Sequence, residues 1–200
     1  MTPPRRSVTS NAVRFELLVF VEGEVTEEQY LVHYGRRARE RVTLQIADTR
    51  GVPYTLVEAA VKAKSADEKG AKCGRGRARD EYWCVFDVDE HPKLGEAVEL
   101  AAANDIRLAI TNPCLELWFR SHFEDQFAYL DRREAQRKAK EHTGCHKALS
   151  QEALAALDAR FEDAKTRAIR LDEKHSGDQT PAPGNPSSDV WRIIESIILR

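Results

Sequence analysis

Two hundred residues suffice for one domain with a real core, and 32% charged and 42% hydrophobic residues give a globular profile. A net charge of −2 excludes global basicity as a route to nucleic acid, so any such surface must be local. No apolar run approaches the roughly 20 residues of a membrane span. The opening MTPPRRSVTSNAV, residues 1–13, has no apolar core of signal-peptide length and reads as a disordered leader. Cysteines at 73, 84, 114 and 145 form no CxxC pair, which predicts reduced thiols and a cytoplasmic protein.

Phe15 to Val21 is a short apolar run broken only by Glu16, the pattern of a buried parallel strand. It turns on Glu22-Gly23-Glu24 and opens into a helix predicted from Thr26 to about Arg41. Thr26 is the expected N-cap, Glu27 and Glu28 suit the positive helix end, and Gln29 completes a capping-box pattern. Residues 42–47 alternate as a second strand, and Pro53 introduces a helix over Leu56 to Lys64. The Gly-punctuated basic stretch KAKSADEKGAKCGRGRAR, residues 62–79, reads as a loop.

Tyr82 to Phe86 is the next buried strand, ending in Asp87-Val88-Asp89-Glu90. A short helix over Leu94 to Ala103 and a strand over Ile106 to Ile110 follow. Thr111-Asn112-Pro113 reads as a helix entry, with proline in the first turn where its missing N–H does no harm. From Phe127 the chain is helical and charged until the Pro/Gly/Ser-rich loop HSGDQTPAPGNPSSD. Val190 to Leu199 closes it as an amphipathic helix capped by Ser188 or Asp189. Strands alternating with helices predict an α/β domain over 14–125, with a mainly parallel sheet flanked by helices. A helical C-terminal extension over 126–200 packs on it.

Acidic groups recur just after strands: Glu22 with Glu24, then Asp87 with Asp89, then Glu116 inside the following helix. Open α/β sheets place ligands at these carboxyl ends. Asp87 and Asp89 project to one side of an extended stretch. Carboxylates gathered there repel one another unless a cation neutralises them, and Mg²⁺, a hard oxygen-seeking ion, suits such a set. Either acidic motif alone is a common turn; the two together shift the balance toward a metal site.

The segments EGEVTEEQY (22–30), FDVDEH (86–91) and TNPCLELWFRSHF (111–123) resemble the signature blocks of the RloB family. HTGCHKAL (142–149) and GNPSSDVWRIIESII (184–198) are similar to its closing segments. The resemblance implies a Toprim-like α/β fold. It matches Glu22 to the Toprim glutamate and Asp87 and Asp89 to its DxD metal pair, with Mg²⁺ or Mn²⁺ as cofactor. It also implies a place in bacterial restriction loci and abortive phage infection.

Other residues weigh less. Glu116 is balanced between metal ligand or general base and a first-turn helix carboxylate. Glu27 reads as a cap. Asn112 and Cys114 shape a turn, and His122 is more often packed. His91 is balanced between the site and a solvated turn, and His142, Cys145 and His146 lack a fourth ligand for zinc. Lys72, Arg75, Arg77 and Arg79 of the basic loop, with Lys147, are the expected phosphate contacts.

The expected activity is metal-dependent nucleic-acid cleavage by Glu22, Asp87, Asp89 and Glu116, with Glu22, Glu24, Asp87 and Asp89 as metal ligands. Expected partners are nucleic acid and a partner ATPase or restriction-system protein, since no P-loop occurs here; a homo-oligomer is compatible and no membrane is expected. The rival readings are a non-catalytic binding or regulatory module with a vestigial site, and primase-like nucleotidyl transfer.

Overall fold

The computed structural model describes residues 13–88, 91–145 and 148–200. Its elements run Phe15–Val21 (β1), Thr26–Arg37 (α1), Val42–Ile46 (β2), Pro53–Lys72 (α2), Glu81–Asp87 (β3), Leu94–Ala103 (α3), Arg107–Asn112 (β4) and Leu115–Ser121 (α4). Arg132–Thr143 (α5), Gln151–Asp158 (α6), Phe161–Gly177 (α7), Ser187–Ser188 (β5) and Val190–Ile198 (α8) complete them. The five-stranded sheet has the order β2-β1-β3-β4-β5, parallel except for the β4–β5 pair.

Side-chain alternation along the strands builds two cores. Leu17, Val19 and Val21 of β1, with Trp83 and Val85 of β3, pack against α1, α4, α6, α7 and α8. Leu18, Phe20, Tyr82, Cys84 and Phe86 face α2 and α3 on the other side. Each buried Leu, Val or Phe contributes about 1.5–3 kcal/mol, so a central strand buried on both faces must read as an apolar run, as β1 and β3 do. The segment 126–200 is part of this architecture: β5 extends the sheet and α8 covers it with Val190, Ile193, Ile194 and Ile197. Among the described residues no helix is long and apolar enough to cross a membrane.

Several local expectations are corrected. Helix α1 stops at Arg37, and its N-cap is Val25 with no side-chain cap; Gln29 instead accepts the Leu149 N–H at 2.8 Å, tying α1 to the chain before α6. Helix α2 runs eight residues beyond Lys64. Ala, Lys and Glu favour helix without a packed stripe, and only its first half is buried, at Pro53, Leu56, Val57 and Ala60. Thr111 and Asn112 end β4 and pair with Ser188 and Ser187, so the helix starts only at Leu115, after the cis Asn112–Pro113 bond. The N-cap of α8 is Asp189, one of the two expected, but without a side-chain cap: its Oδ1 accepts from Arg192, and Ser188 Oγ accepts from Val190 N at 3.4 Å.

Candidate functional site

Strand β1 is followed by β2 on one side of the sheet, while the next strand in sequence, β3, lies on its other side. The connections diverge between β1 and β3, and the crevice at such a point is where an α/β sheet binds its ligand. Glu22 and Asp87 lie on its two sides, one at each strand end. They are joined directly: the Asp87 N–H donates to Glu22 Oε2 at 3.2 Å, and the Glu22 N–H donates to the Val85 carbonyl at 3.1 Å.

Two further carboxylates turn toward this pair. Glu116 projects from the first turn of α4, and Glu27 from the first turn of α1. Asp87 is buried, and burial raises its pKa well above the usual carboxylate range. Arg132 opposes the rise, while Glu27, Glu116 and Glu22 add to it. Glu27 is raised for the same leading reason, burial, with its own and Gly23's backbone N–H groups opposing and Glu116 and Glu22 adding. A Cβ at Gly23 would lie 2.1 Å from a Glu27 carboxylate oxygen, so a side chain there would displace that carboxylate from its present position. His91 Nε2 stands 3.3 Å from Glu22 Oε1.

Positive charge comes from α5. Asp131 caps this helix by accepting the Glu134 N–H at 3.0 Å, and Ala135 and Ala139 are small enough to bring it against α4. Arg132 Nη2 donates to Asp87 Oδ2 at 3.1 Å. Its approach is set by the β5 loop: Asn185 bonds both the N–H and the carbonyl of Leu130, at 2.9 and 3.0 Å, and reaches Asn112 at 3.1 Å. Gln136 and Lys140 follow Arg132 at four-residue spacing, hence on one helix face. They line a cavity of about 630 Å³ that also meets Glu22, Gly23, Glu27 and Glu116, with Phe119, Ala139 and Leu149 as its apolar wall.

Behind α4 lies a buried network. Trp118 Nε1 donates to Tyr30 Oη at 2.8 Å, Tyr30 Oη is 3.3 Å from His122 Nε2, and His122 Nδ1 donates to the Trp118 carbonyl at 2.8 Å. Burial pushes His122 down to about 4, so it is a neutral packing group.

Of the expected site residues, the structure brings together Glu22, Asp87 and Glu116. Glu24 sits on the exposed cavity rim. Asp89 and Lys147, with Glu90 and His146, lie outside the described residues. The basic segment is elsewhere. Helix α2 begins at the carboxyl edge of the sheet and ends at the amino edge, so Lys72, Arg75, Arg77 and Arg79 precede β3 at the end opposite Asp87. There Arg77 donates to Asp80 and to the Arg14 carbonyl, both at 2.8 Å, and Arg79 donates to Asp67 and Gln45. Arg132, Gln136 and Lys140 were not anticipated. Cys114 is fully buried, its thiol pushed up chiefly by desolvation, and His142 stacks on Phe123 and contacts Glu124 at 3.2 Å.

Among the described residues no group of three or more His, Cys, Asp or Glu side chains is placed to hold a metal ion. The donor chemistry nevertheless fits Mg²⁺ or Mn²⁺. These ions take one or two carboxylates, keep waters and accept substrate phosphates rather than requiring an all-protein cage. A cation would also oppose the burial and carboxylate repulsion that raise the pKa of Asp87 and Glu27.

A family described as RloB-like protein matches residues 17–197 of the chain. No curated protein matches it.

Proposed function

The chain belongs to the RloB-like family, and from its carboxylate cluster we propose a metal-dependent nuclease of Toprim type acting in anti-phage defence. The observation that carries this reading is the convergence of Glu22, Asp87, Glu27 and Glu116 on one crevice, with Arg132 beside them. Glu22 and Asp87, with Asp89, would hold Mg²⁺ or Mn²⁺. When bound, the ion supplies Lewis-acid polarisation of the phosphoryl group and activation of water.

The chain's own residues supply the rest. Hydrolysis adds water across one P–O ester bond: the water oxygen joins phosphorus, and the departing oxygen takes up a proton. Glu27, whose proton affinity is raised, is suited to exchange that proton, and Glu116 faces it across the same space. Arg132 stabilises charge on the phosphoryl oxygens. Leu149, fixed by Gln29, and Phe119 close one wall against bulk water.

The test is cleavage of labelled single- and double-stranded DNA, tRNA and mRNA with Mg²⁺ or Mn²⁺, beside EDTA and the Asp87→Ala and Asp87→Asn variants. Cleavage abolished by EDTA and by both variants is expected. Full activity in a folded Asp87→Asn protein would remove the assignment. The second reading, a non-catalytic defence module, is favoured by one observation: Arg132 already neutralises Asp87 in part. On that reading the ions neither stabilise the protein nor support cleavage.

A further inference from the structure

Four carboxylates, Glu22, Glu24, Glu27 and Glu116, open into one recess, with the buried Asp87 bonded to Glu22 beside it. They line a cavity of about 630 Å³ that Gln136 and Lys140 of α5 also meet, and whose remaining wall is mainly apolar, from Val25, Phe119, Ala139 and Leu149, with Thr26, Thr143 and Cys145 among them. That volume is in the range of small-molecule sites, roughly 300–1,000 Å³. The three linings match the three parts of one nucleotide: acids for a cation and phosphoryl group, a cation for phosphate, and an apolar wall for a base. Resting on the nuclease reading above, we propose that the substrate is a single-stranded segment of nucleic acid, with one unstacked nucleotide seated in this cavity.

The strandedness follows from access. A phosphodiester in a duplex lies on a stiff rod whose bases remain stacked, and it cannot enter a recess of this size without extrusion of the nucleotide. A single strand pays little for that movement, and its exposed bases gain from flat apolar surfaces. Lys140 lines the cavity, and Arg132, bonded to Asp87, lies eight residues before it on α5, about 12 Å along the axis, so one helix face carries two cations along the crevice. Two neighbouring α5 cations are paired along the helix, Arg137 with Glu134 and Glu141 and Lys138 with Glu141, while Arg132 is paired with Asp87.

A second feature lies on the segment that leads into α5. Tyr129 is 77% exposed although its neighbour Leu130 is 3% exposed and held by Asn185 at both its N–H and its carbonyl. A large ring held in solvent on a fixed backbone, three residues before Arg132, is a stacking platform for the next base of an unpaired strand.

The experiment is fluorescence anisotropy with a short labelled oligonucleotide of mixed sequence, as DNA and as RNA, each single-stranded and as its duplex. It uses the full chain in EDTA, so that cleavage does not intervene. Single strands of one or both chemistries should bind at least about tenfold more tightly than the duplex. Lys140→Ala should weaken that binding by several-fold and lower the salt slope by about one. Tyr129→Ala, at an exposed position that leaves the fold intact, should also weaken it by several-fold. Equal or tighter duplex binding, no single-strand binding, or wild-type binding in both variants would overturn the inference. Carboxylate-dependent cleavage confined to duplex overturns it while leaving the nuclease standing; tight single-strand binding without metal-dependent cleavage does the reverse.

Discussion

Arg132, the first residue of α5, donates to Asp87, the last residue of β3, at 3.1 Å across 45 positions of sequence. The pair joins the part of the chain that carries the strands to the part that carries the later helices. It also sets a cation against the carboxylate expected to bind one. Removing Arg132 should therefore separate metal affinity from turnover. In Arg132→Ala, Mn²⁺ should raise the melting temperature more than in wild type, because no guanidinium competes for Asp87. Cleavage should fall by roughly 10²-fold. Differential scanning fluorimetry and initial rates on the same samples read the two effects; a parallel loss of both would assign Arg132 a purely structural role.

The buried carboxylates set a pH dependence of a definite sign. Asp87 and Glu27 bind protons more tightly in the folded chain than in the unfolded one. The stability they contribute is complete below the ordinary carboxylate range and is lost as pH rises through their raised folded values. Melting in EDTA should show this loss, which Mg²⁺ or Mn²⁺ should reduce and Asp87→Asn should diminish. A loss of equal size in Asp87→Asn and wild type would place its origin elsewhere.

His122 acts in the opposite direction. Its folded value of about 4 lies below the ordinary 6.5, so the unfolded chain takes up a proton first as pH falls. Stability should drop by up to about 3 kcal/mol between pH 6.5 and 4. His122→Gln should be less stable near neutrality, through its lost bond to Tyr30, yet show a flatter profile over that interval. Urea unfolding at a series of pH values measures it.

Asn185 is predicted to matter more than its place in a Pro/Gly/Ser-rich loop suggests. Asn185→Ala leaves the Leu130 N–H and carbonyl without their partners and should cost about 1–3 kcal/mol. Because Leu130 leads into Arg132, cleavage should fall further than stability alone explains. A normal rate in a folded variant would limit Asn185 to stability.

The strands were legible because β1 and β3 are buried on both faces and leave an unmistakable apolar signature, and the acids at their ends followed at once. From sequence alone Glu27 reads as a cap, because a first-turn acid has an ordinary explanation. The signal that reassigns it is Gly23, whose missing side chain leaves room for the carboxylate to fold back toward Glu22. Arg132, Gln136 and Lys140 had no local signal, since their spacing gains meaning only once α5 is laid against α4. The basic run at 62–79 lies far from the crevice for a related reason. Nearness in sequence to Asp87 became distance in space, because a parallel strand separates its two ends by its whole length, about 20 Å for β3. The α2 extension shows how alanine and lysine sustain a helix with little burial to mark it.

The central claim is that this acidic crevice binds a divalent cation. Mn²⁺ titration followed by electron paramagnetic resonance, on the wild-type chain and on a Glu22→Gln, Asp87→Asn double variant that melts normally, tests it most directly. The account predicts saturable binding that the double variant loses. Mn²⁺ left entirely free by the wild type, or bound equally well by the double variant, would contradict it.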